Sequence, residues 1–361
     1  MAGEADEDVL HPARSAGLVG HGAAEAMLLD AAQSQRLPHA WLIAGPPGIG
    51  KATLAYRFAR YLLAAKEAQA ADSLEIAPDT DVFRRIAAGA HGNLLAIERG
   101  WDERRKSRRG EIVIDDIRRL QGFFGRTAAE SGRRICIVDS ADEMNRNAAN
   151  ALLKTLEEPP KAGLLLLVAN APGRLLPTIR SRCRRLSLTP LEAGQVAEIL
   201  RAHKPDLPAD EATALAGLAE GSPGRAMALA EEGGMETYRA MLSLLEGMPG
   251  LDIPQAHKLA AALGQRTAET RFRLFTELLI GWLERLVRRT AGASTAQAAT
   301  GKEESLQMRF APCLALDRWV ELWERMRRLV ARAEAVHLDR KQVVLRLLSM
   351  MDEAAQSRLS F

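Results

Sequence analysis

One heptapeptide constrains this chain more than any other part of it. Gly45-Pro46-Pro47-Gly48-Ile49-Gly50-Lys51 follows an apolar run, 40–44, and precedes a stretch with helical spacing of apolar residues, 52–65. A buried strand, a glycine-rich loop and a helix in that order make a phosphate-binding loop. Its backbone amides and the helix N-terminus cradle phosphate oxygens, and the lysine reaches the outer phosphates. The alternative, a glycine-rich turn with an incidental lysine, leaves the flanking strand and helix unexplained. The loop is incomplete, because Ala52 stands where Ser or Thr would supply the hydroxyl that binds Mg²⁺. Thr53 lies one residue on, about 100° around the helix, and is not expected to substitute.

The order of elements extends this start. Helical spacing over 20–35 precedes the first strand, and 66–92 reads as irregular and polar. Strands are predicted at 93–97, 112–114, 134–139 and 163–169, and helices at 115–124 and 143–158, the latter ended by Pro159-Pro160. Alternation of this kind predicts a parallel sheet with helices on both faces and a ligand site at the carboxyl ends of the strands. After Pro190 only helical patterns follow, at 191–202, 209–220 and 226–232, and then in a long tail amphipathic at 271–289 and 316–333. Trp282, Trp319 and Trp323 of that tail serve either partner helices or an ordinary core. Gly233-Gly234 reads as a linker, and the low-complexity segment 291–301 as a flexible loop. With 361 residues the chain exceeds what one core of ~250–300 residues supports. Three domains are expected: 1–188, 189–232 and 233–361.

Charge and cysteines narrow the setting. Forty-nine Lys+Arg against 46 Asp+Glu give +3, which by itself does not identify a nucleic-acid binder, because affinity for DNA depends on clustered charge. One cluster exists, at 104–109, and reads as a mobile charged loop or as a DNA contact. Three well-separated cysteines, Cys136, Cys183 and Cys313, argue for a reducing compartment without a disulfide framework. Residues 1–8 are acidic and lack the pattern of a secretory leader. The apolar run 164–169 is far shorter than the ~20 residues of a membrane span. A cytoplasmic protein without membrane contact is expected.

Three further positions bear chemistry. Asp139 ends its strand as a carboxylate on the metal side of a nucleotide hydrolase does, but Ser140 follows where such enzymes carry a water-orienting glutamate. Either Asp142 or Glu143 acts catalytically, or the site is degenerate and Asp142 caps the next helix. In Ser181-Arg182-Cys183 the arginine is either a solvated surface charge or one supplied to a neighbour's triphosphate, a use worth ~10³–10⁵ in rate. Cys183 reads as a small side chain supporting that arginine. Arg225, behind Pro223 at a helix start, is either solvated or in contact with nucleotide bound in the first domain.

These residues carry a resemblance. LVGH at 18–21, RLPHAWLIAGPPGIGKATLAYRFARYLL at 36–63, NAANALLKTLEEPP at 147–160 and LLPTIRSRC at 175–183 resemble the AAA+ clamp-loader subunits of bacterial DNA polymerase III, the delta-prime type above all. HLDRKQ at 337–342 is similar to the family's helical collar. The resemblance implies an AAA+ sheet domain, a small helical lid and an all-α collar that forms oligomers. It implies that Gly45, Pro46, Pro47, Gly48, Ile49, Gly50, Lys51, Ala52 and Thr53 form the nucleotide loop, with Asp139 at the second nucleotide strand. Asn170 then takes the first sensor position, Arg225 the second, and Arg182 is an arginine finger reaching a neighbouring ATP site.

Departures from the pattern refine what is implied. Ala52 and Ser140 lack the groups that ATP-hydrolysing members keep, which favours a subunit that donates a finger without turning over ATP. ATP binding is expected to be weak or absent. Many relatives hold a four-cysteine zinc module after the loop helix; 66–100 contains no cysteine, so zinc is not expected. The implied partners are other clamp-loader subunits in a hetero-pentamer and, through it, a sliding clamp and primed DNA. The alternative is an ATP-hydrolysing motor subunit or another AAA+ ATPase.

Overall fold

A computed structural model describes residues 11–34, 37–66, 69–70, 72–102, 107–125, 132–293 and 298–357. Much of the basic cluster at 104–109 and the middle of the expected loop at 291–301 lie outside the described residues. The chain divides into two compact units, Met1–Glu192 and Ala193–Phe361. The second contains the helices of both the expected lid and the expected collar. No helix among the described residues is long and apolar enough to cross a membrane.

The first unit is built on five parallel strands. β1 (Ala40–Ala44), β2 (Leu94–Ile97), β5 (Arg134–Val138), β6 (Gly163–Ala169) and β7 (Arg184–Ser187) lie in the order β2-β5-β6-β1-β7. A separate antiparallel pair, β3 (Trp101–Asp102) and β4 (Ser107–Arg108), follows β2. The three inner strands are buried along nearly their whole length, and apart from Arg134 at the start of β5 they are apolar, because both faces are covered. Helices α4 (Ile114–Gly125) and α5 (Arg146–Glu157) cover one face with Ile117, Leu120, Ala148, Leu152 and Leu156. Against β1, β5 and β6 also packs α2 (Lys51–Leu63), with Leu54, Phe58 and Ala59 buried. It contacts α1 (Gly22–Gln33). The register aligns Ala44 with Ala169 and Val138 with Leu167, so the residues that follow these strands emerge at one edge.

Several expectations are corrected. The stretch 66–92 contains a helix, α3 (Asp81–Ala87), capped by the Thr80 hydroxyl and buried through Phe83 and Ile86. Residues 112–114 form no strand: Ile112 makes a single bridge to Met144, and Ile114 already begins α4. Edge strand β7 was not foreseen, because only Leu186 of its four residues is buried. The helix expected from 143 starts at Arg146 behind an Asn145 cap.

In the first unit a short helix, α6 (Pro177–Arg180), precedes β7; the described residues of the second unit are helical, with α7 (Ala193–His203), α8 (Ala209–Leu218), α9 (Pro223–Glu231), α10 (Gly234–Glu246), α11 (Ile253–Leu263), α12 (Glu269–Thr290), α13 (Gly301–Phe310), α14 (Leu316–Val336) and α15 (Arg340–Gln356). Gly233-Gly234 is a tight turn and no linker. Gly233 is left-handed (φ +72°), and a Cβ on Gly234 would lie 2.6 Å from the Leu229 carbonyl oxygen. Trp282 and Trp319 are fully buried on either side of Phe310, with ring centres 5.3 and 6.4 Å from it, so they are core of this unit. Trp323 is half-buried with Arg327 over its ring at 4.6 Å.

Candidate functional site

The glycines of the loop do what no other residue can. β1 ends at Ala44 and the chain turns through Gly45, Gly48 and Gly50 at φ +156°, +72° and +100°. A Cβ on Gly45 would lie 2.6 Å from the Leu188 carbonyl oxygen, and one on Gly50 would lie 2.9 Å from Leu18 Cδ1. Gly45→Ala is therefore expected to lower stability by about 1–3 kcal/mol in urea unfolding. An unchanged midpoint would show that the Leu188 backbone yields.

Side chains then fix the loop from outside. His21 is buried, and its Nε2 donates to the Ile49 carbonyl at 2.7 Å. Two buried arginines one turn apart on α2 hold the preceding segment. Arg57 pairs with Glu25 at 2.8 Å and donates to the Ala16 carbonyl, while Arg60 donates to Ser15 at 2.7 Å and stacks over Phe83 at 4.4 Å. Burial and the neighbouring Arg57 lower the Arg60 pKa to about 10.

Lys51 begins α2, and only 4% of it is exposed. Its Nζ donates to the loop's own Pro46 carbonyl at 2.5 Å and to Asn170 Oδ1 at 2.8 Å. Burial lowers its pKa to about 8, against the opposing pull of Asp139 and Asp142. Asp139 follows β5, and burial, then Glu98, raise its pKa. The structure thus brings Lys51, Asn170 and Asp139 to one sheet edge. Ala52 and Thr53 lie in the first turn of α2, both half-buried.

The structure corrects one detail, the expected helix cap at Asp142. Asp142 does not cap α5; it accepts from the backbone amides of Asn170 at 3.0 Å and Ala171 at 2.8 Å, holding the chain just beyond β6. Glu143 pairs with Arg99 at 2.9 Å. Both carboxylates have structural partners, and Ser140 between them and Asp139 sits at φ +57°.

Arg182 stands on the turn between α6 and β7. Its guanidinium is partly exposed, paired with Glu157 at 3.0 Å and donating to the Thr178 carbonyl at 3.1 Å. Ile179 is fully buried, and its carbonyl accepts from the Arg182 amide at 3.1 Å, which fixes the turn. Burial raises the half-buried Cys183 thiol to about 12, leaving it protonated and unreactive at neutral pH. In the second unit, Arg225 lies in the first turn of α9, whose cap Ser222 accepts from its backbone amide at 3.1 Å. The Arg225 side chain pairs with Glu277 of α12 at 3.0 Å.

Sequence reasoning missed the parts played by His21, Arg57, Arg60, Glu157 and Asp142. The one usable signal was the pair of arginines at i and i+3 on the helix after the loop. Such charges within an apolar pattern require buried partners.

Known proteins are similar to this chain in sequence. A family described as "DNA polymerase III, delta subunit" matches residues 20–192. A Pseudomonas aeruginosa protein named DNA polymerase III subunit delta' is 39% identical over 195 residues, which cover 54% of this chain and 56% of that protein. The Bacillus subtilis protein of the same name is 32% identical over 174 residues, 48% of this chain and 49% of its own length. The Escherichia coli protein of that name is 31% identical over 262 residues, 72% of this chain and 73% of its own length. The match thus spans about half of the first two relatives and nearly three quarters of the third.

Proposed function

This chain belongs to the family of bacterial DNA polymerase III delta' subunits, and on that premise we propose that it is the delta-prime member of a clamp loader. In this reading it works in the cytoplasm within a hetero-pentamer that opens a sliding clamp and places it on primed DNA. It hydrolyses no ATP itself and supplies Arg182 to the ATP site of an adjacent subunit.

One contrast supports the reading: the loop lysine is committed inward while Arg182 is presented outward. The backbone of 45–51 suits a phosphate, yet Lys51 Nζ is held by Pro46 and Asn170. Ala52 brings no hydroxyl for a metal, and Asp142 and Glu143 are engaged elsewhere. These residues do not fit a metal-bound nucleotide held for hydrolysis, so nucleotide binding at this loop is weak or absent in the proposal. Arg225 retains the second-sensor assignment as part of the same reading.

The isolated chain, given ATP, Mg²⁺ and primed DNA, is expected to release phosphate no faster than buffer alone. It is also expected to co-purify with clamp-loader motor subunits. Appreciable turnover by the isolated chain would instead identify a motor subunit.

A further inference from the structure

One contact joins the phosphate loop to the segment that carries Arg182, and two more tie the start of that segment to Asp142. Pro46 O accepts from Lys51 Nζ at 2.5 Å, and Lys51 donates onward to Asn170 Oδ1 at 2.8 Å. The backbone amides of Asn170 and Ala171 then both end on the Asp142 carboxylate, at 3.0 and 2.8 Å. Asn170 is thereby gripped through side chain and main chain at once, from two different elements.

From this grip to Arg182 the chain has little freedom. A 3-10 turn, Pro172–Arg174, leads to Leu175, buried in the core. Pro177 then starts α6, which buries Ile179, and Arg182 ends between Thr178 and Glu157. Displacing Asn170 therefore moves the start of a short, core-anchored arm whose far end is the guanidinium.

We propose that Lys51 and Asp142 are positioning residues for Arg182, the loop serving as an internal anchor for the arm 170–182. The inference rests on the reading of Arg182 as an arginine supplied to a neighbour. A guanidinium must meet developing charge within a fraction of an ångström, and misplacement from a distant change costs rate rather than binding.

The test uses the full clamp-loader complex reconstituted with Lys51→Met, Asn170→Leu, Asn170→Asp or Arg182→Ala in this chain, with assembly checked by size exclusion. Lys51→Met and Asn170→Leu are expected to lower kcat for ATP about 10-fold to 100-fold at the site Arg182 serves, with KM changed less than twofold. Asn170→Asp keeps an acceptor for Lys51 and is expected to recover most of the rate. If Arg182→Ala lowers kcat while Lys51→Met and Asn170→Leu in assembled complexes do not, the anchor is refuted and the function stands. If Arg182→Ala itself changes nothing, the underlying function fails. A rise in KM with kcat preserved for Lys51→Met also overturns the anchor, since it marks lost nucleotide binding rather than misplacement.

Discussion

Replacing Arg182 with alanine is expected to slow hydrolysis at one ATP site of the assembled complex by ~10³–10⁵. In the proposed role the guanidinium would compensate charge that grows on the γ-phosphate oxygens during transfer, so its loss would raise the barrier without weakening nucleotide binding. Whole-complex ATPase then falls by the share of that site. Assembly is expected to survive, because Arg182 is partly exposed and its ion pair with Glu157 has both partners at the surface, where such pairs contribute about 0–1 kcal/mol. Arg182→Lys restores a charge but not the planar fork, so it is expected to recover only part of the rate. Steady-state phosphate release checks both variants. A complex carrying Arg182→Ala that assembles and hydrolyses at the wild-type rate would remove the arginine from the mechanism.

The second large effect lies in the helical unit. Arg285 of α12 is 4% exposed and pairs with Glu303 at 2.7 Å, and Glu303 is completely buried. Glu303 also accepts from Gln307 Nε2 at 2.9 Å and from the Ala299 amide at 2.7 Å. Burial alone would lower the Arg285 pKa, but Glu303, Tyr238 and Glu220 outweigh it and the net shift is upward. Burial and the same Glu303 carboxylate push the Tyr238 hydroxyl far above its ordinary range. Arg285→Met leaves a buried carboxylate facing only neutral donors, and about 3–5 kcal/mol of stability is expected to go with it. Hydrogen exchange in α12 and α13 under mild urea reads this directly. The reciprocal change, Glu303→Leu, leaves the guanidinium one carboxylate, Glu220 at 3.6 Å, and orphans the Ala299 amide, and is also expected to destabilise the unit. Near-wild-type protection in Arg285→Met would mean that water reaches Glu303.

How much of this the sequence made legible follows from how local each signal is. β1, β6 and β5 from Ile135 onward are continuous apolar runs because both their faces are covered, and that pattern is visible residue by residue. β7 is an edge strand reading Arg184-Arg185-Leu186-Ser187, and nothing in four mostly exposed residues marks a strand. Ile112, Val113 and Ile114 have the composition of a strand, yet Ile112 serves as a buried plug in the core beside Met144. α3 is too short for periodicity to register, although Thr80 before Asp81 was a usable cap. The loop itself was legible, since its glycines and lysine are contiguous. What Lys51 touches was not, because its partner Asn170 lies 119 residues away. Asp142 was misread for the same reason: its nearest helix suggested a cap, while its true partners follow β6.

The central claim is that this chain contributes an arginine to catalysis and no hydrolytic site of its own. Rapid-quench measurement of the ATP burst per reconstituted complex tests it most directly, comparing wild type with Arg182→Ala. The expected result is the loss of one site's amplitude from the fast phase, with the remaining sites firing at their original rate. A full-amplitude burst from the variant would contradict the account.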